Sequence, residues 1–307
     1  PKYRGNAGCR RPDGGGHRDG PGFATLAMSL EVMLVVLFSA LLHVGWNVLV
    51  RTAGDKVFST LAVVLGAGLL ALPLLAVLPL PATESQPYVL ASGLLHLVYF
   101  SLLALSYRQA ELSLAYPIMR GAAPALAAIA ALVWLGESTS SLGWLGVALI
   151  SAGALSLAVA AWRVSPMHAS GLFFALGNAA VIAGYTVVDG QGARLSGNAL
   201  SYTGWTFVLT ALLLLLSTRM LRGQALWGAI RPLWRTAVLG GAGTLGAYSM
   251  VLWAMGHAPI AAVAALRESS IVFAAIIGVV FLHERIGRAR LLAIAMVCLG
   301  AVCIKLS

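Results

Sequence analysis

Apolar runs of nearly constant length, divided by short polar or Pro/Gly breaks, account for most of the chain. A helix needs about 20 apolar residues to cross a bilayer. Roughly ten stretches qualify, near residues 30–50, 57–79, 88–107, 113–135, 141–162, 168–188, 199–218, 234–255, 260–282 and 288–306. Inside a bilayer every backbone N–H and C=O must find its partner within the protein, so runs of this kind are predicted to be helical. With 60% hydrophobic and only 10% charged residues among 307, the composition exceeds what a water-soluble core requires. The chain reads as an all-α integral membrane protein.

Two of the runs are copies of one another. LAYPIMRGAAPALAAIAALVWLGES and AAVAALRESSIVFAAIIGVVFLHER align without a gap at an offset of 147, from Ala115/Ala262 through Arg120/Arg267 and Ile129/Ile276 to Glu137/Glu284 and Gly153/Gly300. Matching alanines weigh little in apolar sequence; Arg, Glu and Gly matching at one offset weigh more. A weaker match at an offset of 139 sets ALLHVGWNVLVR from Ala40 beside AAVIAGYTVVDG from Ala179, placing Gly45 on Gly184 and Trp46 on Tyr185. The repeat divides the chain into 28–162 and 163–307, with five segments each. Since five is odd, the halves have opposite orientations. Inverted repeats typify secondary transporters, whose substrate site lies near the midplane where the halves meet.

Residues 1–27 stand apart as a Gly, Arg and Pro rich tail without an apolar run, so they do not form a signal peptide. The tail is expected to be disordered, or an extension upstream of a start at Met28, and its deletion is expected to leave function intact.

The formal charge of +10 brings in nucleic acid as a partner, but the basic residues are scattered at segment ends with no continuous patch and no interleaved aromatics. The positive-inside rule accounts for them more simply. The odd-to-even connections carry eleven (Arg51, Lys56, Arg108, Arg163, Arg219, Arg222, Arg231, Arg235, Arg285, Arg288 and Arg290), against Arg194 and Lys305 on the other side. That distribution favours those connections as cytoplasmic. The tail's five basic residues narrow the contrast, and orientation stays open. A multi-pass protein of the cell (inner) membrane is the expected location.

Cys298 and Cys303 are five apart on different faces of the last segment, and Cys9 lies in the tail, so neither a disulfide nor a metal site is implied. No GxSxG, HExxH, CxxC or Walker A motif is present, which argues against an enzyme and implies no catalytic residue or cofactor.

Intramembrane polar residues carry the functional argument, because an Arg at a helix centre costs about 2.5–3.5 kcal/mol on insertion scales. Arg120 and Arg267 are each seven residues into their segments. One reading has them snorkel toward an interface. Another has them flank a central cavity and offer charge-assisted contacts to a carboxylate or phosphate. A third has Arg267 neutralised by Glu268, the nearest acid in sequence though about 100° round the helix. Tyr116 is one turn before Arg120, and Pro117 and Pro124 share a face of the same segment, where they permit a kink. His43 and Asn47 share a face with Trp46 beside them; His96 and Tyr99 share another. Such groups hydrogen-bond a substrate, relay a proton or tie helices together. Tyr185 and Tyr248 are further cavity candidates. Gly240 and Gly243, like Gly146 and Gly153, are expected to let helix backbones approach closely. Glu137 and Glu284 are read as solvated loop charges or caps of the helix that follows each.

The segments LLHVGWNVLVRTAGDK, LSLAYPIMRGAAPALAAIAALVWLGE, GWLGVALISAGALSLA, GYTVVDGQGAR and AALRESSIVFAAIIGVVFLHERIG resemble those of the EamA family of the drug/metabolite transporter superfamily, from about residue 29 onward. The resemblance implies ten helices in two inverted five-helix repeats, a cavity lined by both halves, export of small metabolites such as amino acids, and paired Arg positions at Arg120 and Arg267. His283 stands where the first half keeps Gly136.

The expectation is a secondary transporter working by alternating access. Its substrate is a small polar metabolite such as an amino acid or related organic anion, bound by Arg120, Arg267, Tyr116, His43, Trp46, Asn47, His96, Tyr99, Tyr185, Tyr248 and Glu268. Proton exchange through Glu268, His43 or His96 is an open alternative for coupling. A flippase for a lipid-linked substrate and a non-transporting scaffold are the rival readings. Oligomeric state is not legible.

Overall fold

A computed structural model describes residues 28–52, 55–109, 112–164, 168–223, 225–282 and 287–307. The tail 1–27, His283 and Glu284 lie outside the described residues. In chain order the helices are α1 (Leu30–Thr52), α2 (Lys56–Leu75), α3 (Gln86–Gln109), α4 (Leu112–Leu135), α5 (Ser141–Trp162), α6 (Ala169–Leu195), α7 (Ala199–Arg222), the short α8 (Ala225–Ile230), α9 (Trp234–Met255), α10 (Ile260–Leu266), α11 (Ser270–Leu282) and α12 (Arg288–Lys305). Nine spans among the described residues are long and apolar enough to cross a membrane, counting α10 and α11 as one. The tenth segment is α12, 18 residues packed along α5.

Local chemistry sets the helix ends. Asp55 Oδ1 accepts from Val57 N at 2.8 Å and Phe58 N at 3.2 Å to start α2, Ser140 Oγ accepts from Gly143 N at 3.1 Å to start α5, and Asn198 Oδ1 accepts from Ser201 N at 2.9 Å to start α7. Gly136 and Gly197, at φ 64° and 73°, follow α4 and α6 in the left-handed region that favours glycine.

Two segments differ from their sequence expectation. The sixth extends beyond 188 to Leu195, although Asp189-Gly-Gln-Gly reads as a break. Tertiary contacts hold it helical: a Cβ on Gly190 would meet Ile260 at 2.6 Å, one on Gly192 would meet the Tyr202 ring at 2.5 Å, and Arg194 is held by carbonyls of Met255 and Ala258. The ninth is not one helix. Arg267–Ser269 form a 3-10 turn between α10 and α11, with Arg267 and Glu268 both buried.

The packing repeats under a shift of five spans. α3 lies on α6 as α9 lies on α1; α2 meets α9 as α7 meets α3; α2 and α7 pack together, as do α5 and α12. The α5–α12 crossing shows the two-fold relation at the level of residues. A Cβ on Gly146 would lie 2.7 Å from the Gly300 carbonyl, and one on Gly153 would lie 3.1 Å from the Ala293 carbonyl. Shifting 146 and 153 by the repeat offset of 147 gives 293 and 300, so each contact is the image of the other. On α9, a Cβ on Gly240 would lie 2.6 Å from Val63 and one on Gly243 would lie 3.3 Å from Trp46. These glycines act where backbones approach closely.

Candidate functional site

A cavity of about 170 Å³ occupies the centre of the bundle, with room for several waters or one small solute. The first half lines it with Ser39, His43, Trp46, Asn47 and Val50 of α1, Thr60 of α2, His96, Tyr99 and Phe100 of α3, and Tyr116 and Arg120 of α4. The second half supplies Tyr185, Thr206, Phe207, Thr210, Thr244, Tyr248 and Arg267. Ten of the eleven residues singled out in the sequence therefore share one cavity wall. The eleventh, Glu268, stands behind it.

The two arginines, equivalent by repeat, differ in charge environment. Arg120 is 7% exposed, and its Nε donates to Glu268 Oε2 at 3.0 Å while a terminal nitrogen lies 2.7 Å from Oε1. The expectation that Glu268 neutralises Arg267 is corrected: successive residues of a tight turn point in different directions, so Glu268 crosses to α4 and binds the arginine of the other half. The snorkelling reading fails for the same reason, since Arg120 is fixed inward. Arg267, 8% exposed, makes no ion pair among the described residues, and its Nε is buried without a hydrogen-bond partner. Opposite charges within the pair cancel, leaving one guanidinium as the excess charge of the cavity wall.

Other donors there are also unspent. Trp46 Nε1 and the hydroxyls of Thr206 and Thr210 are buried without partners. Asn47 Nδ2 is satisfied within its own helix by the His43 carbonyl at 2.7 Å. An aromatic group forms the rest of the wall: His96 stacks on Tyr185 at 4.4 Å, Tyr99 meets Tyr185 edge-on at 5.8 Å, and Phe207 meets Tyr248 edge-on at 6.0 Å. This combination of one uncompensated cation, free N–H and O–H groups and ring faces suits a small solute with a carboxylate and an apolar part.

In the first half the cavity lining takes the C-terminal halves of α1 and α3 and the N-terminal halves of α2 and α4, toward the basic connections, while in the second half it takes the middle of α6, α7 and α9 and the Arg267 turn. At the other end a polar knot closes the bundle. Glu137 Oε2 and Oε1 accept from Arg194 at 3.1 and 3.3 Å, and Oε1 also accepts from Ile260 N at 2.7 Å. The reading of Glu137 as a solvated charge or a cap of the following helix is corrected, because it is 9% exposed and caps α10 in the opposite half. Arg194 thus belongs to this knot rather than to the surface charge that sets topology.

Sequence reasoning missed Asp189, Thr206, Thr210 and Phe207. Asp189 is fully buried, and Tyr202 and Tyr248 both donate to its carboxylate. Its place in what read as a loop signal hid it, although an acid ten residues from the Ala179 match was visible.

A second, wider groove of about 1020 Å³ lies between α1, α7 and the end of α9, lined by Glu31, Leu34, Phe38, Leu200, Trp253 and His257 among others. It shares no lining residue with the central cavity.

Helices long and apolar enough to cross a membrane, packed around a central cavity, define a multi-pass membrane protein. Residues 169–306 match the model of the EamA-like transporter family. A solved structure titled only "Crystal structure of protein" superposes with a TM-score of 0.68 at 19% identity, covering 90% of this chain and 98% of that one, which supports the fold. No curated protein matches the chain.

Proposed function

We propose that the protein is a secondary transporter of the cell (inner) membrane that exports a small carboxylate-bearing metabolite, such as an amino acid or organic anion, by alternating access. The observation that carries this reading is the Arg267 guanidinium, buried in a cavity between the halves with its Nε unpartnered, while the equivalent Arg120 is neutralised by Glu268. One excess positive charge matches one carboxylate, and Trp46, Thr206 and Thr210 supply further donors. Arg120 and Glu268 bind substrate less directly, as the strut that ties α4 to the α10–α11 turn. His43, Asn47, Tyr116, His96, Tyr99, Tyr185 and Tyr248 shape the wall around the solute.

With basic connections taken as cytoplasmic, the cavity faces inward and the Glu137–Arg194 knot seals the outer end. Export then requires the inner ends to close and the knot to part. The two-fold relation supplies a second state of the same kind, in which each half takes the other's conformation. Without nucleotide-binding motifs, the energy comes from a substrate or ion gradient.

Ligand-induced stabilisation tests the site. A ligand that binds the folded state alone stabilises it by about 2.7 kcal/mol at a hundredfold excess over Kd. Purified protein is screened against amino acids, small mono- and dicarboxylates, the corresponding uncharged amides, and phospholipids. Stabilisation by carboxylates but not their amides, lost in Arg267→Gln, is expected. Stabilisation by lipid alone would move the reading to a flippase using the outer groove, and stabilisation by none would leave the scaffold.

A further inference from the structure

We propose that Asp189 is a proton-binding site of the second half, charged and discharged through the central cavity by way of Tyr248; as a coupling site it rests on the transporter reading above. Three carboxylates are buried among the described residues; Glu137 sits in the knot at one end, and the other two are held in opposite ways. Glu268 has both oxygens on Arg120, at 3.0 and 2.7 Å, so a fixed cation stands against it. Asp189 makes no salt bridge among the described residues, although it is fully buried. Its oxygens are taken by two phenols: Tyr202 of α7 donates to Oδ1 at 3.0 Å, and Tyr248 of α9 donates to Oδ2. A carboxylate out of water without a cation is costly to leave ionised. Neutral donors lower that cost without a counter-charge, which leaves both protonation states within reach.

Other groups around it bear on the same equilibrium. From α3, which packs on α6, His96 stacks on Tyr185 at 4.4 Å and meets Tyr248 edge-on at 6.1 Å. His96 Nδ1 lies 2.9 Å from the Ser92 carbonyl and 3.2 Å from the Ser92 hydroxyl, which tie the ring to its own helix. α4, which also packs on α6, carries Tyr116 and Arg120 in the cavity wall, and α10 carries no titratable residue. On α6 itself, Arg194 is engaged by Glu137.

Tyr248 and His96 line the cavity and Asp189 does not, so Tyr248 is the bridge from cavity water to the acid. In the uptake step a proton from cavity water reaches the Tyr248 oxygen as the phenol's own proton passes to Oδ2. The carboxylate becomes a neutral acid and the phenol is restored. The acid's new O–H is itself a donor, so Tyr248 must turn from donating to accepting. That exchange alters the contact between α6 and α9, and α9 carries part of the cavity wall. Protonation is thereby tied to the arrangement of helices that alternating access must change. Of the sequence candidates for proton exchange, Glu268 is bound by Arg120, and His96 meets Tyr248 edge-on.

Two measurements test this. In pH-difference infrared spectroscopy of the purified protein in lipid, acidification is expected to raise the carbonyl band of a protonated carboxylic acid, absent in Asp189→Asn; a band unchanged in that variant overturns the proposal. Tyr202→Phe, which keeps the ring, is expected to shift the pH at which the band appears, and an unmoved midpoint counts against the phenol-held carboxylate. In proteoliposomes loaded with a mixture of the twenty amino acids and small carboxylic acids, external acid is expected to accelerate wild-type efflux. Asp189→Asn is expected to lose that acceleration while keeping exchange at equal pH. Retained acceleration overturns the coupling role. Absence of all efflux overturns the transporter reading instead, and the infrared result then decides the proton site alone.

Discussion

Removing the carboxylate of Glu268 while leaving Arg120 in place is the perturbation the structure makes most informative. The pair is buried on both sides, with side chains 9% and 4% exposed, joined by one hydrogen bond at 3.0 Å and a terminal nitrogen 2.7 Å from the other carboxylate oxygen. Breaking such a pair by removing one partner costs about 3–5 kcal/mol, because the remaining charge is stranded, whereas replacing both by apolar groups of similar volume is often neutral or stabilising. Glu268→Met and Arg120→Met should each lower thermal stability by on the order of 10 °C, given about 2–4 °C per kcal/mol for chains of a few hundred residues. The double variant should recover most of the loss. Arg267→Met, at the equivalent repeat position, should cost little or raise stability, since it removes a charge with no counter-ion. The assay is thermal unfolding of purified protein in one detergent, followed by tryptophan fluorescence, with coupling taken from the double-mutant cycle. Additive losses in the double variant, or a loss at Arg267→Met equal to that at Arg120→Met, would refute the division of the arginines into a strut and a binding group.

Gly300→Leu places a Cβ 2.6 Å from Ile150 and 2.7 Å from the Gly146 carbonyl, so yield and melting temperature should fall, by about 1–3 kcal/mol or more for overpacking; size-exclusion recovery unchanged from wild type would contradict the tight α5–α12 crossing. Glu137→Gln weakens the knot at the closed end, so in a background without native cysteines Ala258→Cys should react faster with a membrane-impermeant maleimide; equal rates would show that the knot does not seal that end. Trp46→Phe removes an N–H that has no partner in the protein, so stability should hold while ligand-induced stabilisation weakens; unchanged ligand response would remove Trp46 from the donor set.

The helices and their two-fold arrangement were legible because bilayer thickness imposes run length and the repeat imposed an odd number of segments per half. Most of the cavity wall was legible because polar side chains such as His43, Arg120 and Arg267 stand out in apolar runs. What escaped detection depends on partners distant in sequence. Glu268 sits beside Arg267 in the chain, yet 148 positions separate it from the arginine it binds. Glu137 resembled a loop charge because its partners are at Arg194 and Ile260. Asp189 lay among glycines that read as a turn until Ile260 and Tyr202 were seen to occupy the space those glycines leave. The break at Arg267–Ser269 has no Gly or Pro to announce it.

Mass-spectrometric efflux from proteoliposomes loaded with a pooled cytosolic metabolite extract tests the central claim most directly, comparing wild type with the Arg120→Ala, Arg267→Ala double variant and with Arg267→Gln. Selective loss of a few small carboxylates or zwitterions from wild-type vesicles, abolished in both variants, is the predicted result. Efflux that is unselective, or that persists unchanged in Arg267→Gln, would contradict a transporter built around that arginine.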